Sequence, residues 1–143
     1  LLSEALTERG LDPAKLTARI AGEATRIGLD AALIHRAVNV DFSGGEKKRN
    51  ETLQLAVLEP RIVVLDELDS GLDIDALRDC ARRVEDLTNE RNLGVLVITH
   101  YSRIFEQLKP DHVHVLLKGR IVASGGPELA DRLEVDGYDA FNA

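Results

Sequence analysis

The sequence predicts an α/β fold: a helical subdomain, then a parallel-sheet core that ends in a C-terminal hairpin. Three observations carry this. Ile62-Val63-Val64-Leu65 is an unbroken apolar run that stops at Asp66-Glu67. Val95-Leu96-Val97-Ile98 repeats the layout and stops at Thr99-His100. Between them, Leu77, Cys80, Ala81, Val84 and Leu87 recur at helical spacing. Two strands joined by one amphipathic helix make a βαβ unit, whose crossover is right-handed. A strand without alternation is expected to be covered on both faces, as in parallel sheets. Asp66 and Glu67 then stand at the carboxyl edge, where open α/β sheets place their ligands.

The remaining elements follow in order. Residues 1 to 12 read as the tail of a helix and a loop, with Gly10 as a stop. Asp12-Pro13 is a helix start, an acidic cap followed by proline in the first turn. Leu16, Ile20, Ala24 and Ile27 continue it at helical spacing, and Gly28 closes it. A short helical piece over Asp30 to Arg36 is expected next. Ser43-Gly44-Gly45-Glu46 opens a helix carrying Leu53, Leu55, Ala56, Val57 and Leu58, and Pro60 prevents its continuation. Asp73 caps the helix between the two strands, which ends near Asn92 and Gly94. A short helix over Arg103 to Leu108 leads to Val113–Leu117 and Arg120–Ser124, a hairpin joined by Lys118-Gly119. Gly125-Gly126-Pro127-Glu128 starts a last helix, and Tyr138 to Ala143 reads as a mobile tail. The expected organisation is a helical subdomain over residues 1–60, ending in the helix that Ser43 opens, and a sheet core over 61–143.

Bulk composition narrows the function classes. With 143 residues, 44% hydrophobic, the chain suits one domain or part of one. A net charge of -7 and 3% aromatic residues argue against a nucleic-acid surface, since neither a basic face nor stacking platforms are present. Cys80 is the sole cysteine, which excludes an internal disulfide and a cysteine-only metal site. No apolar stretch approaches the roughly 20 residues of a membrane span. A cytoplasmic protein is the expectation.

Three features carry chemistry. A strand-terminal acid such as Asp66 can hold a magnesium ion, and the adjacent Glu67 can orient or deprotonate an attacking water. A solvated acidic turn would look the same in isolation. Ser43 and Glu46 form a capping-box pattern, which explains those two residues but not Gly44 and Gly45. Consecutive glycines are costly in a first helical turn unless something approaches the backbone, and an anion at a helix N-terminus does so. Finally, His100 ends the second strand at the edge expected for Glu67, as a phosphate-sensing or water-orienting partner would. His35, His112 and His114 lack such a context.

Phe42-Ser43-Gly44-Gly45-Glu46, Ile62 to Glu67, Ser70-Gly71-Leu72-Asp73 and His100 stand in an order and at spacings that resemble the signature motif, Walker B strand, D-loop and switch histidine of ABC-type ATPases. More narrowly, Phe42 to Glu51, Leu65 to Leu77, Ile98 to Ser102 and Ser124 to Leu133 resemble the SufC group, the soluble ATPases of the SUF iron-sulfur cluster assembly system. The resemblance covers residue 38 to the C-terminus, and the first helical part fits only loosely. It implies the C-terminal portion of a P-loop ATPase that forms an ATP-dependent head-to-tail homodimer with two ATP molecules sandwiched between subunits. It further implies that Asp66 organises Mg²⁺, that Glu67 is the general base and that His100 contacts the γ-phosphate. Ser43, Gly44, Gly45 and Glu46 would form the cofactor-binding signature facing the opposite subunit's nucleotide, and Asp73 would report across the interface. SufB- and SufD-like scaffold proteins are the implied partners.

The chain departs from that pattern in lacking a Gly-x-x-x-x-Gly-Lys-Ser/Thr phosphate loop, and also a glutamine loop. It contains no methionine. The expectation is therefore an excerpt of a longer protein whose N-terminal lobe holds the phosphate loop, inactive toward ATP by itself. Two other readings are the C-terminal lobe of a chromosome-maintenance or DNA-repair ATPase head, and a non-catalytic interaction module of the same shape. The negative charge and the absence of heptads before residue 42 weigh against the former.

Overall fold

The computed structural model describes residues 12–30 and 42–141. Within them run α1 (Pro13–Arg26), α2 (Gly44–Leu58), β1 (Ile62–Asp66), α3 (Ile74–Arg91) and β2 (Gly94–Ile98), then β3 (Val113–Leu117), β4 (Arg120–Gly125) and α4 (Glu128–Asp136). Two 3-10 turns, Ser102–Glu106 and Tyr138–Phe141, complete the order. The chain divides into two compact units, residues 1–99 and 100–143. The helix tail expected before residue 12 and the helical piece expected over Asp30 to Arg36 lie outside the described residues from 31 on and before 12.

In the first unit, α1 and α3 both pack on α2. Leu16 and Ala24 of α1, and Ile27 just beyond it, meet Leu53 and Val57 of α2, with Leu29 closing the cluster. Ile27, Leu53 and Val57 are at most 2% exposed, and each such side chain contributes about 1.5–3 kcal/mol of burial. The helix ends follow the sequence. Gly28 turns the chain at φ 63°, a left-handed conformation that suits glycine. Glu59 and Asn92 cap α2 and α3 in the same left-handed region.

Along α3, Ala76, Cys80, Ala81, Val84 and Leu87 are buried, and Arg83 lies among them at 2% exposure. Burial opposes the Arg83 charge, but hydrogen bonds and charge from Glu23, then Glu90, hold its guanidinium above the ordinary value. Burial also pushes the Cys80 thiol up, against a lowering hydrogen bond with Thr52.

β1 and β2 pair in parallel, with Ile62 opposite Gly94, Val64 opposite Leu96 and Asp66 opposite Ile98. The expectation that this sheet is covered on both faces fails among the described residues. Ile62 is 74% exposed, and Val64, Leu96 and Ile98 are about half exposed. Successive side chains in a strand point to opposite faces, so one face of the pair is an apolar surface open to solvent. The other, carrying Val63, Leu65, Val95 and Val97, is half-buried.

In the second unit β3 and β4 form the expected antiparallel hairpin, with a bulge between Val115 and Leu116. Lys118 and Gly119 both have positive φ, at 50° and 76°, the signature of a primed two-residue turn whose twist matches the strands. The short helix expected over Arg103 to Leu108 is a 3-10 turn, Ser102–Glu106, with Ile104 fully buried. The stretch from Tyr138 is not a mobile tail as far as Phe141. It closes as a 3-10 turn because Phe141 is buried with Val115 and Leu129, and the Arg132 guanidinium sits 5.1 Å from the Phe141 ring centre.

Candidate functional site

The acid pair stands where the apolar run predicts. β1 ends at Asp66, and the next amide, Glu67 N–H, still donates to the Ile98 carbonyl at 2.8 Å. Both carboxylates are therefore exposed at the carboxyl edge of a parallel pair. Glu67 leaves the strand with φ 47°, a left-handed conformation that a non-glycine residue adopts only under constraint. Its carbonyl accepts from Ser70 N–H at 3.0 Å, so residues 67–70 form a tight turn. Asp69 inside this turn is buried. Its Oδ1 accepts from Thr99 Oγ1 at 3.1 Å, and its Oδ2 has no donor among the described residues. Sequence reasoning passed over Asp69 because it reads as one more acid in an acidic loop.

Ser43 and Glu46 make the reciprocal capping box. Ser43 Oγ accepts from Glu46 N–H at 3.3 Å, and Glu46 Oε2 accepts from Ser43 N–H at 2.7 Å. The helix dipole adds a positive end at this exposed N-terminus. A Cβ on Gly44 would lie 3.5 Å from the Gly71 carbonyl oxygen, and one on Gly45 would lie 3.7 Å from Leu72 Cδ2. These are ordinary contacts, so packing among the described residues does not require glycine at either position. They also show that the N-terminus of α2 lies against the loop leading into α3. There Asp73 Oδ1 accepts from Ala76 N–H at 2.7 Å and caps α3 as the sequence indicates.

An open cavity of about 290 Å³ lies between α2 and β1, lined by Lys48, Thr52, Leu55, Val64 and Asp66 among others. Lys48 Nζ pairs with Glu51 at 3.2 Å. Among the described residues, no group of three or more His, Cys, Asp or Glu side chains could hold a metal. His100 belongs to the second unit, where its ring lies 4.1 Å from that of Tyr101. His114 Nδ1 sits 2.9 Å from Ser124 Oγ across the hairpin, a structural pairing. No helix among the described residues is long and apolar enough to cross a membrane.

No protein-family model matches the chain. Individual proteins do. It is 56% identical over 106 residues to the probable ATP-dependent transporter SufC of Escherichia coli (strain K12), covering 74% of this chain and 42% of that protein. It is 40% identical over 134 residues to the iron-sulfur cluster assembly protein SufC of Plasmodium berghei (strain Anka), covering 94% of this chain and 36% of that one. Among solved structures it resembles cbiO1 from Clostridium perfringens, part of the ABC transporter complex cbiONQ, with a TM-score of 0.68 and 22% identity, covering 97% of this chain and 55% of that chain. The chain spans about half the length, or less, of the curated relatives it matches. A parallel pair delivering two acids to its carboxyl edge, a capped Ser-Gly-Gly-Glu helix against the following loop, and this level of identity agree: over most of its length the chain matches a C-terminal portion of the SufC-like ABC-type ATPases.

Proposed function

We propose that this chain is the signature-bearing and hydrolytic-acid portion of an ATP-binding and ATP-hydrolysing subunit that serves iron-sulfur cluster assembly. The observation that carries the reading is the pair Asp66-Glu67, exposed at the edge of the β1–β2 ladder, with the Glu67 N–H donating a hydrogen bond to the Ile98 carbonyl. Glu67 takes the proton of the water that attacks the γ-phosphate, and the bond to the β-phosphate oxygen breaks as the new P–O bond forms. The hydrogen bond from Glu67 N–H to the Ile98 carbonyl holds the backbone from which this carboxylate projects. Asp66 suits Mg²⁺, which keeps most of its ligands as water and phosphate oxygens and takes one or two carboxylates from the protein. Bound there, the ion would supply neutralisation of phosphate charge.

The α2 N-terminus, with Ser43, Gly44, Gly45 and Glu46, meets the γ-phosphate held by the opposite subunit of a head-to-tail homodimer. The absence of any packing demand for the two glycines supports this. Asp73 carries the same interface to α3, and His100 contacts the γ-phosphate. The phosphate loop comes from polypeptide beyond these residues, consistent with relatives about twice as long. Nucleotide-driven closure reshapes SufB- and SufD-like scaffold proteins docked on the helical subdomain over residues 1–60, with residues 61–143 as the core.

The test is Glu67→Gln in the complete polypeptide that contains these residues. ATP turnover should fall about 10²- to 10⁴-fold, the usual worth of a general base, while nucleotide binding measured by equilibrium titration is retained. Normal turnover in that variant removes Glu67 from the role.

A further inference from the structure

We propose that the fork between Arg83 and Glu23 is a register lock that makes α1 follow α3, so that a displacement of the Asp73 cap reaches the helical subdomain; the role rests on the nucleotide-driven closure proposed above. Two features of α1 call for such a lock. Its apolar seam is thin: Leu16 and Ala24 are buried, Ile20 is partly so, and Ile27 and Leu29 join only beyond the helix end. Its helix propensity is low, with Gly22 in the interior as well as Thr17 and Thr25. Apolar burial is non-directional, so a short seam of this kind leaves the helix free to slide or roll on α2.

Charge supplies the direction. Arg19, Glu23 and Arg26 stand at i, i+4 and i+7, one stripe along α1, and all three are engaged. Arg19 Nη2 donates to the Ala56 carbonyl at 2.8 Å and pairs with Glu59 at the end of α2. Glu23 takes both prongs of Arg83, and Arg26 pairs with Glu90. Arg91, next to Glu90, reaches the same Glu59. The stripe thus meets α3 at Arg83, at Glu90 and, through Glu59, at Arg91.

Within this ladder the Arg83–Glu23 rung is buried on both sides, at 2% and 9% side-chain exposure, whereas Arg26, Glu59 and Glu90 are each at least 44% exposed. Exposed pairs contribute little. A buried pair is a weak source of stability, because desolvation offsets the attraction, but a two-pronged guanidinium–carboxylate contact is specific in distance and plane. It therefore admits one placement of α1 along α3. From its Asp73 cap, α3 runs with Ala76, Cys80, Ala81, Val84 and Leu87 buried, and Arg83 stands ten residues, or about 15 Å, from that cap. Rigid elements and packed side chains carry coupling over such distances. An α1 locked at Arg83 moves when α3 moves; held by Leu16, Ile20 and Ala24 alone, it can slip instead.

The experiment follows amide hydrogen exchange in the complete polypeptide with and without a non-hydrolysable ATP analogue. In the parent, the analogue should slow exchange at the Ala76 amide, which Asp73 caps, and along α1. In Glu23→Leu/Arg83→Met the Ala76 response should persist and the α1 response should be lost. Arg83→Lys keeps the charge without the fork and should lose the α1 response too, which keeps the test decisive if the double variant fails to fold. Retention of the α1 response in either variant overturns the lock and leaves the closure reading standing. A parent that responds at Ala76 but not in α1 does the same. A parent in which neither segment responds overturns closure, and the lock with it.

Discussion

Arg83 and Glu23 meet in a buried two-pronged ion pair that joins α3 to α1. Arg83 Nε donates to Glu23 Oε2 at 2.7 Å and Nη2 to Oε1 at 2.8 Å, between residues 60 apart in the chain. Glu90 is a second partner, 3.2 Å from Arg83 Nη1, and Arg26 reaches the same Glu90 at 3.7 Å. Among the described residues, removing Glu23 leaves the buried Arg83 guanidinium with only the half-exposed Glu90 as partner, and two of its nitrogens buried without an acceptor. Glu23→Ala should therefore cost about 3–5 kcal/mol, read as a fall in the urea midpoint at constant slope. Replacing both partners together, with Glu23→Leu and Arg83→Met, should recover most of that loss. A double variant as unstable as the single one would show that the pair is worth more than its desolvation cost.

The cap on α3 makes a smaller and separable prediction. Asp73 satisfies the Ala76 amide and places a negative charge at the positive end of the helix. Asp73→Ala should lower stability by about 1 kcal/mol. Asp73→Ser, which keeps an acceptor, should stay within a few tenths of the parent, so equal losses in thermal melts of both would reject the capping role.

Cys80 gives the alkaline limb of the stability profile a definite sign. Burial pushes the thiol above its ordinary 9.0, so the folded chain holds this proton more tightly than the unfolded one. Stability from this group is complete below pH 9 and falls as pH rises toward the folded value. Cys80→Ala should flatten that limb in denaturant titrations between pH 8 and 10 on the order of the thiol range. An unchanged slope would mean that the thiol does not titrate differently on unfolding.

Lys118 occupies the first central position of the hairpin turn with φ 50°, where a side chain is disfavoured and asparagine is tolerated. Lys118→Asn should stabilise the β3–β4 hairpin by roughly 0.5–1 kcal/mol. Heat-induced unfolding followed by circular dichroism would register it, and a lower midpoint would contradict the turn type.

Much of this fold could be read from residue patterns, and the failures have physical causes. Gly28, Asp73 and Asn92 mark helix ends where the structure has them, because capping is a local matter of backbone angles and one side chain. The apolar runs located both strands but misjudged their faces, since composition cannot say whether polypeptide lies over Val64 and Leu96. Arg83 went unnoticed because arginine is ordinarily solvated, although its position beside Cys80, Val84 and Leu87 on the buried stripe was a visible signal. Phe141 escaped for a related reason: one aromatic residue in a polar tail is weak evidence until Val115 and Leu129 are seen to receive it. At the site, Asp66, Glu67, Ser43 and Glu46 were legible as motifs. Asp69 was not, because its burial depends on Thr99, which folding brings in from 30 residues away.

The open face of the β1–β2 pair also governs how the chain behaves as a solute. Ile62, Val64, Leu96 and Ile98 form one contiguous oily stripe on adjoining strands. Strand pairs of this kind are templates for self-association. A preparation of these 143 residues alone should therefore cloud or form oligomers as its concentration rises, and it should clear when Val64 and Leu96 carry lysine.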